Sequence, residues 1–77
     1  MNQELEAQAE RFERIALELE QAAAHARTAA GHFRQGEVPR GCAHAFALEG
    51  HLVNARAELA AAAVKHSEKS RLQPPAD

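Results

Sequence analysis

Seventy-seven residues with one cysteine and a formal net charge of −2 allow at most one small domain. The core of such a chain is modest and often needs a staple or a partner. The lone Cys42 offers no internal disulfide and suits a reducing compartment. The charge gives no global basis for gripping nucleic acid. There is no apolar run of membrane-spanning length, and the acidic start lacks the plan of a signal peptide. A cytoplasmic protein with neither membrane nor nucleic acid as partner is the expectation.

The composition favours helix throughout. Alanine is the commonest residue, with Leu, Glu, Gln and Arg beside it and no Trp or Tyr. The domain is expected over 1–72. The first helix should run from about 3 to 34, since that stretch has no proline and Gly36 stands where a left-handed C-terminal residue is wanted. The turn is placed at 36–38. Pro39 suits the first turn of a new helix, where its missing N–H is not needed. The second helix should run from about 39 to 70. Pro74-Pro75 forbids its continuation, leaving 73–77 as a tail. So short a connection forces the helices antiparallel. The predicted fold is therefore all-α, an antiparallel two-helix hairpin that dimerises into a four-helix bundle.

Apolar patterning argues for the dimer. The first helix carries one wide stripe: Leu5, Phe12, Leu19, Ala26 and Phe33 in one column, Ile15, Ala22 and Ala29 in the next. An all-alanine column, Ala9, Ala16, Ala23 and Ala30, lies beside them. The second helix carries two seams. Ala45, Leu48, Leu52, Ala55, Leu59 and Ala62 form the first, expected to face the first helix. Phe46, Gly50, Val53, Ala57, Ala60 and Val64 form the second, separated from the first by Glu49 and Arg56. A helix apolar on two sides must bury two sides. The second seam is the expected interface, to another copy or to a helical partner, with Gly50 and Ala57 allowing close approach.

Four of the five histidines lie symmetrically about the turn. His25 and His32 precede it, His44 and His51 follow it, and the two members of each pair are seven residues apart. Folding back at the turn should bring His32 level with His44 and His25 level with His51, all at one heptad position flanking the core. Facing imidazoles supply metal ligands, so His25, His32, His44 and His51 are the candidate site for a divalent metal or haem. The competing reading makes them cover for the seam, with no cofactor. The same columns continue as Glu18 opposite Glu58 and Arg11 opposite Lys65, which are like-charged pairs in that register. A third reading is pH sensing by mutual repulsion of protonated rings.

Other motifs carry less. Cys42-Ala43-His44 lacks zinc spacing, because ligands two apart on a helix point to different sides; Cys42 is expected to be a small, partly buried apolar residue. No Glu-x-x-His motif and no glycine-rich phosphate loop occurs, and no catalytic constellation is present, so an enzyme is not expected. Arg34 and Arg40 bracket the turn, and Lys65, Lys69 and Arg71 cluster at the far end; these read as solubilising charge. The segment His32-Phe33-Arg34-Gln35-Gly36-Glu37, followed by Gly50-His51-Leu52, resembles a pattern in an uncharacterised archaeal family of small helical proteins. It departs where that family has an aspartate, with Val53 or Asn54 here. The resemblance implies a helical fold and gives no residue a role. The expected function is that of a non-enzymatic interaction or scaffold protein. The alternative is a small metal- or haem-binding bundle.

Overall fold

A computed structural model describes residues 2–69. Helix α1 spans Gln3–Arg34 and helix α2 spans Val38–Lys69. Among the described residues there is no strand, and the two helices pack against each other as a hairpin. The expected tail at 73–77 lies outside the described residues. At ~1.5 Å per residue each helix is about 48 Å long.

The ends of α1 are fixed by local chemistry. Asn2 sits in an extended conformation, and its side-chain oxygen accepts from the N–H groups of Glu4 and Leu5. Two donors of the first turn that have no partner within the helix are thereby satisfied. At the other end the chain turns through Gly36, whose φ is 76°. That conformation is cheap only for glycine. It lets the Glu37 N–H reach the His32 carbonyl at 2.8 Å and the Gly36 N–H reach that of Phe33 at 3.0 Å, the paired bonds of a Schellman ending. Helix α2 begins at once, one residue earlier than expected, with Pro39 in its first turn and the Gly41 N–H bonded to the Glu37 carbonyl.

The packing departs from the expected one. The buried apolar residues are Ala22, Ala29, Ala55 and Ala62, and no large side chain is fully buried. Gly41 is buried too, beneath the Phe33 ring; a Cβ there would lie 2.7 Å from ring carbons. The seam runs between two columns on each helix. On α1 these are Gln8, Ile15, Ala22, Ala29 and Arg11, Glu18, His25, His32, all buried or half-buried. On α2 they are Gly41, Leu48, Ala55, Ala62 and His44, His51, Glu58. The steps alternate three and four, which is the heptad seam of two packed helices. The histidines thus lie in the seam itself and do not flank it. The column expected to be the heart of α1 is displaced outward, leaving Leu5 61%, Phe12 51%, Leu19 47% and Phe33 48% exposed. The physical reason is size: alanine and glycine let the backbones come close on one side of the seam, and imidazole and carboxylate groups bridge the other. Leu59, expected to face α1, is half exposed as well.

Candidate functional site

The polar column forms a continuous ladder along one side of the seam. Residues from the two helices interleave like teeth, in the order Glu37, His32, His44, His25, His51, Glu18. At the turn end, the His32 Nδ1–H donates to Glu37 Oε1 at 3.0 Å, and Arg40 holds the other oxygen of Glu37 at 3.1 Å. The His32 ring stacks on that of His44, with centroids 5.4 Å apart and planes 19° from parallel. His44 and His25 then meet through their Nδ1 atoms at 2.9 Å. His25 stacks on His51 at 5.4 Å and 20°. Finally, the His51 Nδ1–H donates to Glu18 Oε1 at 2.7 Å, and the Asn54 amide reaches the same oxygen at 3.4 Å.

These contacts fix tautomers. An ionised carboxylate only accepts, so His32 and His51 must each carry a proton on Nδ1. Between His25 and His44 two ring nitrogens face each other, and one proton must lie between them. One ring is then the Nδ1–H tautomer and its partner the Nε2–H tautomer. All four rings are half-buried.

Beyond Glu18 the ladder becomes an ion-pair cluster. Glu58 accepts from Arg11 Nε at 3.2 Å and from Arg14 Nε at 2.9 Å, with Arg14 Nη2 at 3.3 Å from its second oxygen. The Arg14 hydrogen bond holds the Glu58 carboxyl below the ordinary carboxylate range, against the opposing effect of burial, with the Arg14 and Arg11 charges adding to it. The His51 hydrogen bond does the same for Glu18, again opposed by burial and aided by Asn54. Arg11 Nη1 is buried without a hydrogen-bond partner, a local cost of this arrangement.

The sequence brought the right histidines together with an incomplete register. His32 meets His44, and His25 meets His51, as the symmetry about the turn implies. Each of these pairs is a ring stack, however, and the hydrogen bond joins His25 to His44, half a heptad away. That stagger gives the charged residues of the columns opposite partners, although Glu58 still opposes the Glu18 carboxylate by its charge. Arg11 and Glu18 do not face Lys65 and Glu58; they bond Glu58 and His51. A heptad wheel gives the column but not the axial offset of one helix against the other, so Glu37, Arg14 and Asn54 were not singled out. Gly41 was missed for a different reason: only the position of the Phe33 ring shows that a side chain there is excluded.

The remaining candidates are placed as follows. Among the described residues no group of three or more His, Cys, Asp or Glu is positioned to hold a metal ion. Cys42 is exposed on α2, not partly buried, because it lies on the outward side of the helix from Gly41. Phe46, Gly50, Val53, Ala57, Ala60 and Val64 are all exposed, Phe46 at 80%. Within the single chain, Gly50 has open space around it and no close neighbour to explain it. No described helix is long and apolar enough to cross a membrane.

Comparison with protein-family models, curated proteins and solved structures found no match.

Proposed function

We propose that the protein is a non-enzymatic interaction module whose hairpin self-associates, apolar side to apolar side, into a four-helix bundle. One observation carries this reading. Among the described residues the buried apolar ones are four alanines, while Leu5, Phe12, Leu19, Phe33 and Leu59 are about half exposed or more. A chain this short with its large apolar groups in water is marginal by itself.

The exposed groups share one side of the seam. Phe33 covers Gly41 on α2, and Phe12 and Leu59 line one groove. The ladder side has its own groove, lined by Arg14, Glu18, Asn54 and Glu58 together with Leu17, Ala57 and Ala61. In a four-helix bundle each helix needs apolar groups toward its hairpin partner and toward the helix across. Successive α1 columns meet this need: Ile15, Ala22 and Ala29, then Leu5, Phe12, Leu19 and Phe33, then Ala9, Ala16, Ala23 and Ala30. Leu48, Leu52 and Leu59 supply the same side of α2. Covering this surface with a second copy removes roughly several hundred Å² of apolar area per chain, worth several kcal/mol at ~25 cal/mol per Å² before association costs.

The outer stripe of α2, from Phe46 to Val64, is then left for a partner helix, or is itself the self-association surface as the two-seam pattern suggested. Sedimentation of two variants separates these. Leu19→Glu should yield monomer at micromolar concentration and Val53→Glu should leave the dimer intact. The reverse pattern moves the interface to the outer stripe, and a well-folded monomeric wild type rejects self-association.

A second reading, a small metal- or haem-binding bundle, has one contact in its favour: the two Nδ1 atoms of His25 and His44 at 2.9 Å. Two nitrogens are fewer than the three or four protein ligands of ordinary zinc sites. Stoichiometric metal retained through dialysis of untagged protein, and lost in His51→Ala and His44→Ala, would establish it.

A further inference from the structure

We infer that the two copies pack head to tail, α1 antiparallel to α1, about a twofold axis that crosses α1 at Leu19 and Glu20 and α2 at Leu52 and Val53. The turn end of each hairpin then lies on the open end of the other. The inference rests on the reading that a second copy covers the apolar side, and adds which way round that copy sits.

The apolar side of α1 is patterned as a second seam. The exposed column of Leu5, Phe12, Leu19 and Phe33 and the alanine column from Ala9 to Ala30 alternate in steps of four and three, the spacing of a coiled-coil contact. The column just beyond the alanines is charged: Glu6, Glu13 and Glu20 toward the open end, Arg27 and Arg34 toward the turn. All five are exposed. Among the described residues none of them is ion-paired within the chain, whereas Arg11, Arg14, Arg40 and Arg56 all are. Glu6 and Arg34 are equally distant from Glu20, and so are Glu13 and Arg27. Two antiparallel copies of α1 centred on Glu20 therefore set acid against base four times along the border of their contact, where flanking charges choose orientation. The two Glu20 side chains meet near the axis, the one like-charged contact of this column.

Side-chain size agrees with charge. In an antiparallel seam the members of one column lie across from members of the other, so Phe12 and Leu19 of each copy fall against alanines of the second. Phe33 of each copy comes over the groove of the other, between Gln8, Phe12 and Leu59. Helix α2 points to the same axis. His51 lies between Glu18, which it bonds, and His25, on which it stacks, so Leu52 and Val53 are level with Glu20. Glu49 and Arg56 border the apolar side of α2 beside Leu52 and are placed evenly about that level. Within one chain they form a loose ion pair of 3.8 Å; across the axis each faces its opposite in the second copy. The two ends of the hairpin also differ in net charge. Residues 24–48, around the turn, carry Arg27, Arg34 and Arg40 against Glu37, a net +2, so with the chain at −2 the remainder carries −4. Head-to-tail packing joins opposite ends and turn-to-turn packing joins like ends. Each end acts separately, because the helices are much longer than the ~8–10 Å over which salt screens charge.

Sedimentation and a distance measurement on the full chain test this together. With Cys42→Ser and a nitroxide at Gln35→Cys, double electron–electron resonance of the dimer should place the two labels more than about 40 Å apart, since Gln35 is 15 residues from Glu20 at ~1.5 Å each. A shorter distance, such as the roughly 20 Å of two helix spacings that turn-to-turn packing gives, in a chain that still sediments as a dimer overturns the head-to-tail order alone. A monomeric wild type overturns the self-association on which that order rests. Charge exchange supplies the second arm and leaves the apolar side untouched. Arg27→Glu/Arg34→Glu should weaken the dimer about tenfold or more at low salt, because exposed attractions become repulsions. Adding Glu6→Arg/Glu13→Arg to the same chain reverses the whole column, returns every charge to an opposite partner across the axis, and should restore the dimer. No weakening in the first variant, or no recovery in the second, overturns the pairing.

Discussion

The two sides of the hairpin seam are built from opposite materials. One side is apolar, yet its large residues reach past the seam into solvent, and only alanines and a glycine are buried between the backbones. The other side is polar, yet it spans the helices with defined contacts, from Glu37 through four imidazoles to Glu18 and on to Glu58 with its two arginines. The apolar side contributes bulk that needs a partner. The polar side contributes register: hydrogen bonds that form at one axial offset of α1 against α2 and not at another. Ordinarily a helical pair draws both from one apolar stripe. Here the two tasks are divided, so association and register should fail separately.

The largest expected effect is on the apolar side. Leu19→Glu or Phe12→Glu should weaken self-association by at least about 100-fold, since several kcal/mol of burial is at stake and each 1.4 kcal/mol is tenfold. Helicity at high protein concentration should fall with it. An unchanged sedimentation profile for both variants would falsify the assignment of this side to a second copy.

Next comes the turn that sets both sides in place. Gly36→Ala forces a side chain into φ of 76° and should cost about 1–2 kcal/mol, read from denaturant midpoints with an unchanged slope. Gly41→Ala is milder because the Phe33 ring it would strike is half exposed and can swing outward. About 1 kcal/mol is expected, and Phe33→Leu in the same chain should recover most of it.

The polar side predicts a pH signature carried by its carboxylates. Glu18 and Glu58 are held below their ordinary value of 4.5 in the folded chain. A depressed folded value means that their contribution is present above about 4.5 and is lost as pH falls through the lower folded value. Glu58→Gln should therefore flatten the acid-unfolding curve below pH 4.5; a curve of unchanged steepness would mean that the Glu58 ion pairs contribute nothing. The smallest effect belongs to Arg14→Ala. Its bond to Glu58 is half exposed and Arg11 remains on the same carboxylate, so only a slight fall in the unfolding midpoint is expected, screened further by salt.

Much of this molecule is determined by sequence alone. Two helices with a break at Gly36 follow from proline placement, helix-forming composition and the need for a left-handed residue at the end of α1; these are local effects, and each is legible within a few residues. The antiparallel arrangement follows from the shortness of the connection. The histidines' shared heptad column follows from their spacing. What the tertiary structure decided is rotation and offset. Rotating α1 by one column about its axis exchanges Leu5, Phe12 and Leu19 at the seam for Arg11, Glu18 and His25. An amphipathic pattern as wide as this one accommodates either choice. The axial offset decided that His25 bonds His44 and that Arg11 meets Glu58 in place of Lys65. Periodicity specifies angle about a helix to within a column and specifies nothing about sliding along it. That freedom is removed only when the backbones settle at the distance alanine and glycine permit and the polar groups find partners that satisfy them.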